Sequence, residues 1–216
     1  MKKFLLIAFA VTAAFAACKK KTDDVSKVVT VSAPTINING SKFMTLNVGT
    51  PFVDSGATLI DDVTGQSSTI MADTADGGGV VDVTTPGLYT LTYSAKNGNG
   101  YSSTNARFIA VTNYADKADL SGVYVRQSNK VPVNVTRMSR ALYQTDDFGG
   151  AGLGDVAYFA VIDTTMIDFG YQYSETIGAF FTADVSYLHV RPGDTSFAYV
   201  LHAPGYGTAL RVFKKQ

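Results

Sequence analysis

The sequence predicts an all-β protein, and three observations carry that reading. Every acidic residue except Glu175 is Asp, which suits turns better than helices. Thr, Val and Tyr, the residues that favour strands, are abundant. Short runs alternate apolar and polar residues between turn signals, and no stretch keeps an apolar repeat at helical spacing for the length a helix needs.

Taken in chain order, the first element is a leader. Lys2 and Lys3 precede an apolar run from Phe4 to Phe15, broken only by Thr12, and the small residues Ala16 and Ala17 follow. That is the layout of a cleaved secretory signal peptide over residues 1–17, since a bilayer span needs roughly 20 apolar residues. Cys18, the one cysteine, cannot close an internal disulfide. Its place directly after Ala16 and Ala17 resembles a bacterial lipobox, which implies acylation of Cys18 and a membrane partner through an N-terminal lipid. Two kinds of acyl attachment at one residue satisfy the rule that stable anchoring takes more than one chain.

Residues 18–30 then form a polar tether, "CKKKTDDVSK" and onward. Its acidic pair, Asp23 and Asp24, resembles the export signal of surface lipoproteins in Bacteroidetes-type bacteria. The location this implies is the outer membrane, lipid-anchored and displayed on the cell surface, although the residues leave the periplasmic face open. Loss of Lys2 and Lys3 with the leader takes the formal charge from 0 to −2. No basic excess remains to neutralise phosphates, which excludes nucleic acid as an expected partner.

Residues 31–113 read as one β domain. Strands are predicted near 35–38, 43–48, 56–61, 80–83, 88–95 and 106–111. Tyr89, Leu91, Tyr93 and Ala95 alternate with Thr90, Thr92 and Ser94, giving one apolar and one polar face, as in a half-buried sandwich strand. Asn97-Gly98 and Asn99-Gly100 supply residues that accept positive φ, so the strand before them turns back as a hairpin. The segments "FVDSGATLIDD" and "TTPGLYTLTYSAKNGNG" resemble bacterial immunoglobulin-like domains over roughly Val31 to Thr112. The resemblance implies an N-terminal immunoglobulin-like β-sandwich, with Asp54-Ser55-Gly56-Ala57 leading into an early strand. It also puts Tyr89 just after a corner, where its hydroxyl can tie back to backbone.

A polar linker, residues 114–120, precedes a second β domain at 121–216. Its strands are predicted near 123–126, 131–136, 141–145, 157–162, 165–169, 179–183, 186–190, 197–201 and 210–214, joined by Gly- and Pro-rich turns. The expected architecture is an antiparallel β-sandwich or a partly closed barrel. "LSGVYVR" and "ALRVFKK" resemble, by layout, the C-terminal β domain of lipoproteins found near polysaccharide-utilisation systems.

Catalytic chemistry finds little footing. His189 and His202 stand at predicted strand ends with no nucleophile motif, and they show no zinc-ligand spacing. Asp146, Asp147, Asp155, Asp163, Asp168 and Glu175 could supply a glycosidase pair, but their places beside turns favour turn-forming roles. Asp61, Asp62, Asp73 and Asp76 lack the spacing of a calcium loop. "DDFGGAGLGD" has neither the Gly-Lys of a phosphate loop nor a following helix, and reads as a mobile loop carrying Phe148 and Leu153. No enzyme, metal or cofactor is expected.

Aromatic residues are the more useful signal. Phe169, Tyr171 and Tyr173 alternate with Asp168, Gly170, Gln172 and Ser174, a pattern open to core packing or to a flat platform for a sugar ring. Tyr206 lies between Gly205 and Gly207, which cannot cover it. The expectation is a non-catalytic lipoprotein whose C-terminal domain binds a carbohydrate or another surface component through Tyr206, Tyr171, Tyr173 and Phe148. The alternative is a structural or adhesin-type subunit that binds an outer-membrane protein partner through edge strands.

Overall fold

The computed structural model describes residues 32–73, 79–115, 118–174 and 176–216, and every regular element among them is a β-strand. The leader, Cys18 and most of the tether lie outside the described residues.

The first half contains β1 (Thr35–Ile38), β2 (Phe43–Leu46), β3 (Ala57–Ile60), β4 (Ser67–Ile70), β5 (Gly87–Lys96) and β6 (Ser102–Val111). They form two three-stranded sheets, ordered β1-β3-β4 and β2-β6-β5, with β2 parallel to β6 and the other pairs antiparallel. Ile36 and Ala57 from one sheet meet Leu91, Tyr93, Ile109 and Val111 from the other. The alternation of β5 works as read from the sequence: its Leu91 and Tyr93 are buried, and its threonines face away from this core.

Two details differ from the sequence reading. No strand forms at 80–83, where Val80 is 75% exposed. There the Asp82 carboxylate accepts from the Thr84 amide and from the Thr84 and Thr85 hydroxyls at 2.6–2.9 Å, a local network that favours a turn over a ladder. Conversely, Ser67–Ile70 does form a strand, which polar side chains hide from a hydrophobic count because it lies at a sheet edge.

The second half contains β7 (Gly122–Arg126), β8 (Pro132–Ser139), β9 (Leu142–Thr145), β10 (Ala157–Val161), β11 (Ile167–Asp168), β12 (Gln172–Ser174), β13 (Ala179–Arg191), β14 (Asp194–His202) and β15 (Leu210–Lys215). They make one antiparallel nine-stranded sheet, ordered β11-β10-β9-β8-β7-β15-β14-β13-β12. Its two outermost strands, β11 and β12, are consecutive in the chain and only residues 169–171 join them. The sheet must therefore curl until its edges approach, giving a partly closed barrel.

Side chain and backbone fasten that seam. The Gln172 amide accepts from Tyr158 N at 2.9 Å and donates to Tyr158 O at 2.7 Å, so it stands in for a strand partner of β10. Leu188 N donates to Thr165 O at 2.6 Å across the same gap. The interior is filled by Tyr124, Tyr143, Phe159, Phe197, Tyr199 and Phe213, each at most 2% exposed, with Val133 and Val135 of β8 and Phe181 and Leu188 of β13. Instead of two strands at 179–183 and 186–190, β13 is continuous across a bulge, with its register shifting between Asp184 and Tyr187 and Val185 at φ +50°.

Residues 33–216 form one compact unit. The outer face of the immunoglobulin-like sheet, with Phe43, Leu88, Phe108 and Ala110, packs on the outer face of the barrel at Met138, Leu142, Tyr158, Ala160 and Ile162. Polar contacts frame this seam: Thr45 Oγ1 with Ser139 Oγ at 2.7 Å, Thr112 Oγ1 to Ile162 O at 2.9 Å, and Leu88 N to Asp168 Oδ2 at 2.6 Å. The connecting segment is pinned too, because Tyr114 and Leu120 both enter the barrel core.

Candidate ligand-binding groove

The aromatic residues singled out in the sequence separate into two settings. Phe148 is fully buried, its ring stacked on Phe181 at 4.3 Å, so the glycine-rich loop does not offer it to a ligand. That loop is ordered around Asp147, whose carboxylate accepts from the amides of Ala151 and Gly152. Tyr206 turns inward instead of outward. Its ring lies 5.3 Å from Phe148, and its hydroxyl donates to the buried carboxylate of Asp155. Burial, followed by that bond to Asp155, pushes the Tyr206 hydroxyl pKa up. Gly205 and Gly207, at φ +79° and +66°, let the chain fold the ring onto the barrel end, and Gly149 leaves room for it, since a Cβ there would meet the ring at 2.3 Å.

The run from 169 to 173 divides between both readings given to it. Phe169 is buried in the barrel. Gly170, at φ +59°, breaks the pleat, so that Gln172 and Ser174 point inward and Tyr171 and Tyr173 are 42% and 46% exposed. Of these two, Tyr173 lines a groove and Tyr171 does not.

The groove, of about 330 Å³, runs between the two domains. Thr90 and Thr92 of β5 with Thr104 and Asn105 of β6 form one wall, and Tyr158, Tyr173 and Ser174 of the barrel form the other. Thr90 and Thr92 come from the phase of β5 opposite Leu91 and Tyr93 of the sandwich core. Phe108, beneath them, is 4.0 Å from Tyr158 between ring centroids, and Phe43 packs on both. Burial holds the Tyr158 hydroxyl above its ordinary pKa. The Thr90 hydroxyl oxygen is buried and has no hydrogen-bond partner within the protein. Such a group costs roughly 1–3 kcal/mol unless something satisfies it.

Sequence reading placed its candidate residues in the C-terminal domain alone and did not anticipate that Lys42, Thr90, Thr104 and Asn105 border the same groove as Tyr173. The alternation in β5 marked Thr90 and Thr92 as one face, but a face that meets a second domain looks the same in sequence as one that meets water. Other candidates are engaged within the fold, and Asp76 and Glu175 lie outside the described residues. His189 lies 3.5 Å from Asp194, and His202 lies 3.7 Å from Asp184. Asp61 accepts from the amides of Val63 and Thr64. Among the described residues no group of three or more His, Cys, Asp or Glu side chains could hold a metal ion. A larger cavity of about 720 Å³ lies by the β13–β14 turn. Tyr114, its one aromatic among the described lining residues, is only 9% exposed.

Comparison with known proteins adds the following. No curated protein matches the chain. Among solved structures, the crystal structure of a lipoprotein from Bacteroides thetaiotaomicron is 22% identical and covers 85% of this chain and 100% of its own, with a TM-score of 0.37. Residues 36–111 match the family described as bacterial surface protein, Ig-like domain. This chain segment is thus an immunoglobulin-like domain of the bacterial surface-protein type.

Proposed function

We propose that the protein is a lipid-anchored, non-catalytic binding protein of the bacterial cell surface that holds a carbohydrate in the groove between its domains. One observation carries the reading: Tyr173, 46% exposed, and the half-buried Thr90 and Thr92 line the same groove. An aromatic face accommodates a sugar's C–H surface, and a few placed polar groups fix its orientation. The match of residues 36–111 to a surface-protein domain, with the leader and Cys18, supports display outside the cell on an acylated N-terminus.

The test is titration of the mature chain, with Cys18→Ser to keep it soluble, against a panel of polysaccharides. Saturable binding to one glycan, weakened about tenfold or more by Tyr173→Ala and by Thr90→Val, supports the proposal. Failure to bind any glycan, or binding indifferent to both substitutions, rejects it.

A second reading rests on β4. This strand ends its sheet, and three of its four residues are exposed, so a protein partner could add a strand there. Thr69→Pro would abolish that association and leave glycan binding unchanged.

A further inference from the structure

Lys42 is the one charged side chain among the described lining residues of the groove. It is half-buried, it sits 5.8 Å from the Phe43 ring, and its Nζ donates to Asn105 Oδ1 at 3.0 Å. An ammonium carries three donors, so that bond leaves it donors to spare. The Arg107 guanidinium lies 3.6 Å from Asp54, whereas Lys42 has no carboxylate within ion-pair distance among the described residues. A partly desolvated cation gains most from an anion brought to it.

The rest of the wall points the same way. Both ends of the Asn105 amide are committed, Oδ1 to Lys42 and to Ala106 N, and Nδ2 to Ile36 O. What remains for a ligand is the ammonium, which only donates, and the threonine hydroxyls, which donate and accept alike. Those hydroxyls serve a neutral sugar equally well, whereas the ammonium, the one full charge among the described lining residues, gains more from an anionic group than from a neutral hydroxyl. A sugar bearing its own anionic group fits better.

We infer that the groove takes an acidic saccharide, whose carboxylate or sulfate group pairs with Lys42 Nζ while a ring rests on Tyr173. The inference rests on the carbohydrate reading above. Glu175 lies between two lining residues, Ser174 and Thr176, and outside the described residues, so the test includes it.

The experiment is calorimetric titration of the mature Cys18→Ser chain with polygalacturonate, dextran sulfate, and the neutral polymers dextran and galactan, at about 50 and about 300 mM NaCl. The first two distinguish carboxylate from sulfate. Expected is saturable binding of one acidic polymer, weakened about tenfold or more by Lys42→Gln or Tyr173→Ala, largely kept in Lys42→Arg, and reduced at the higher salt. Binding of a neutral polymer that Tyr173→Ala abolishes and Lys42→Gln leaves unchanged overturns the acidic inference and spares the carbohydrate reading. No binding of any polymer, or acidic binding indifferent to both substitutions, overturns both. If acidic polymers bind only after Glu175→Gln, the native counter-ion is Glu175 and the acidic inference falls.

Discussion

Arg107 shows how much of the immunoglobulin-like domain depends on one side chain. It is 2% exposed. Its guanidinium donates to Asn39 O at 2.7 Å, to Ser41 O and Gly56 O at 3.1 Å, and to the Tyr93 hydroxyl at 3.2 Å, beside Asp54. The Asp-Ser-Gly-Ala segment of the sequence is therefore a cradle: Gly56, at φ +69°, turns its carbonyl toward the arginine where a Cβ would strike Ile70 O at 2.6 Å. Arg107→Met strands several buried acceptors and is expected to cost about 3–5 kcal/mol in urea unfolding; a loss below about 1 kcal/mol would refute this role. Burial, aided by its bond to Asp54, pushes the Tyr93 hydroxyl up to about 12. A raised folded pKa favours the neutral phenol, so Tyr93's contribution is complete below the ordinary value of 10 and is lost as pH rises from 10 to about 12. Stability in alkali is expected to fall through that window, and less steeply in Tyr93→Phe. Tyr89 bonds Thr85 O at 2.9 Å, as the corner resemblance implied. Tyr124 repeats the device in the barrel, with Leu120 O at 2.9 Å. Both tyrosines follow a Gly two positions earlier at a strand start, so the second corner was legible in "LSGVY" and went unread because no family pattern pointed to it.

At the scale of elements, strand content was legible wherever one face is apolar, and closure was not. Gln172 reads as a polar residue between two tyrosines, a pattern in which the tyrosines pack and the glutamine meets water. The reverse holds because Gly170 resets the pleat. At this position a Cβ would lie 2.1 Å from Leu88 O, so the glycine serves close approach to the neighbouring domain as well as a positive φ. Gln172→Ala leaves the Tyr158 amide and carbonyl without these partners. It is expected to lower stability by about 2–4 kcal/mol in denaturant unfolding, beyond what loss of an exposed glutamine could do. Gly170→Ala should destabilise as well through strain and collision; a neutral result at either position would show that the seam of the barrel is held elsewhere. Edge strand β4 escaped notice for the complementary reason, since its polar side chains carry no burial signal.

At the scale of the molecule, two groups of strands are visible in sequence, whereas their packing on each other is not, because a polar connecting segment says nothing about the faces on either side of it. The docked seam of Phe108, Leu142, Tyr158 and Ala160 predicts one cooperative calorimetric transition for residues 18–216. Leu142→Asp, which places a charge in that seam, should divide it into two; two transitions in the native chain would contradict the docking. The groove exists only because the seam exists, so binding and docking are one property of the fold. The chain has no Trp, which makes the most direct measurement simple: Tyr173→Trp places a lone tryptophan, excited selectively at its red edge, in the groove, and Tyr171→Trp places one outside it. On titration with a glycan that binds the native chain, the account predicts a saturable change in Tyr173→Trp emission and none in Tyr171→Trp. A response from position 171 alone, or from neither while binding persists, would contradict the assignment of the groove.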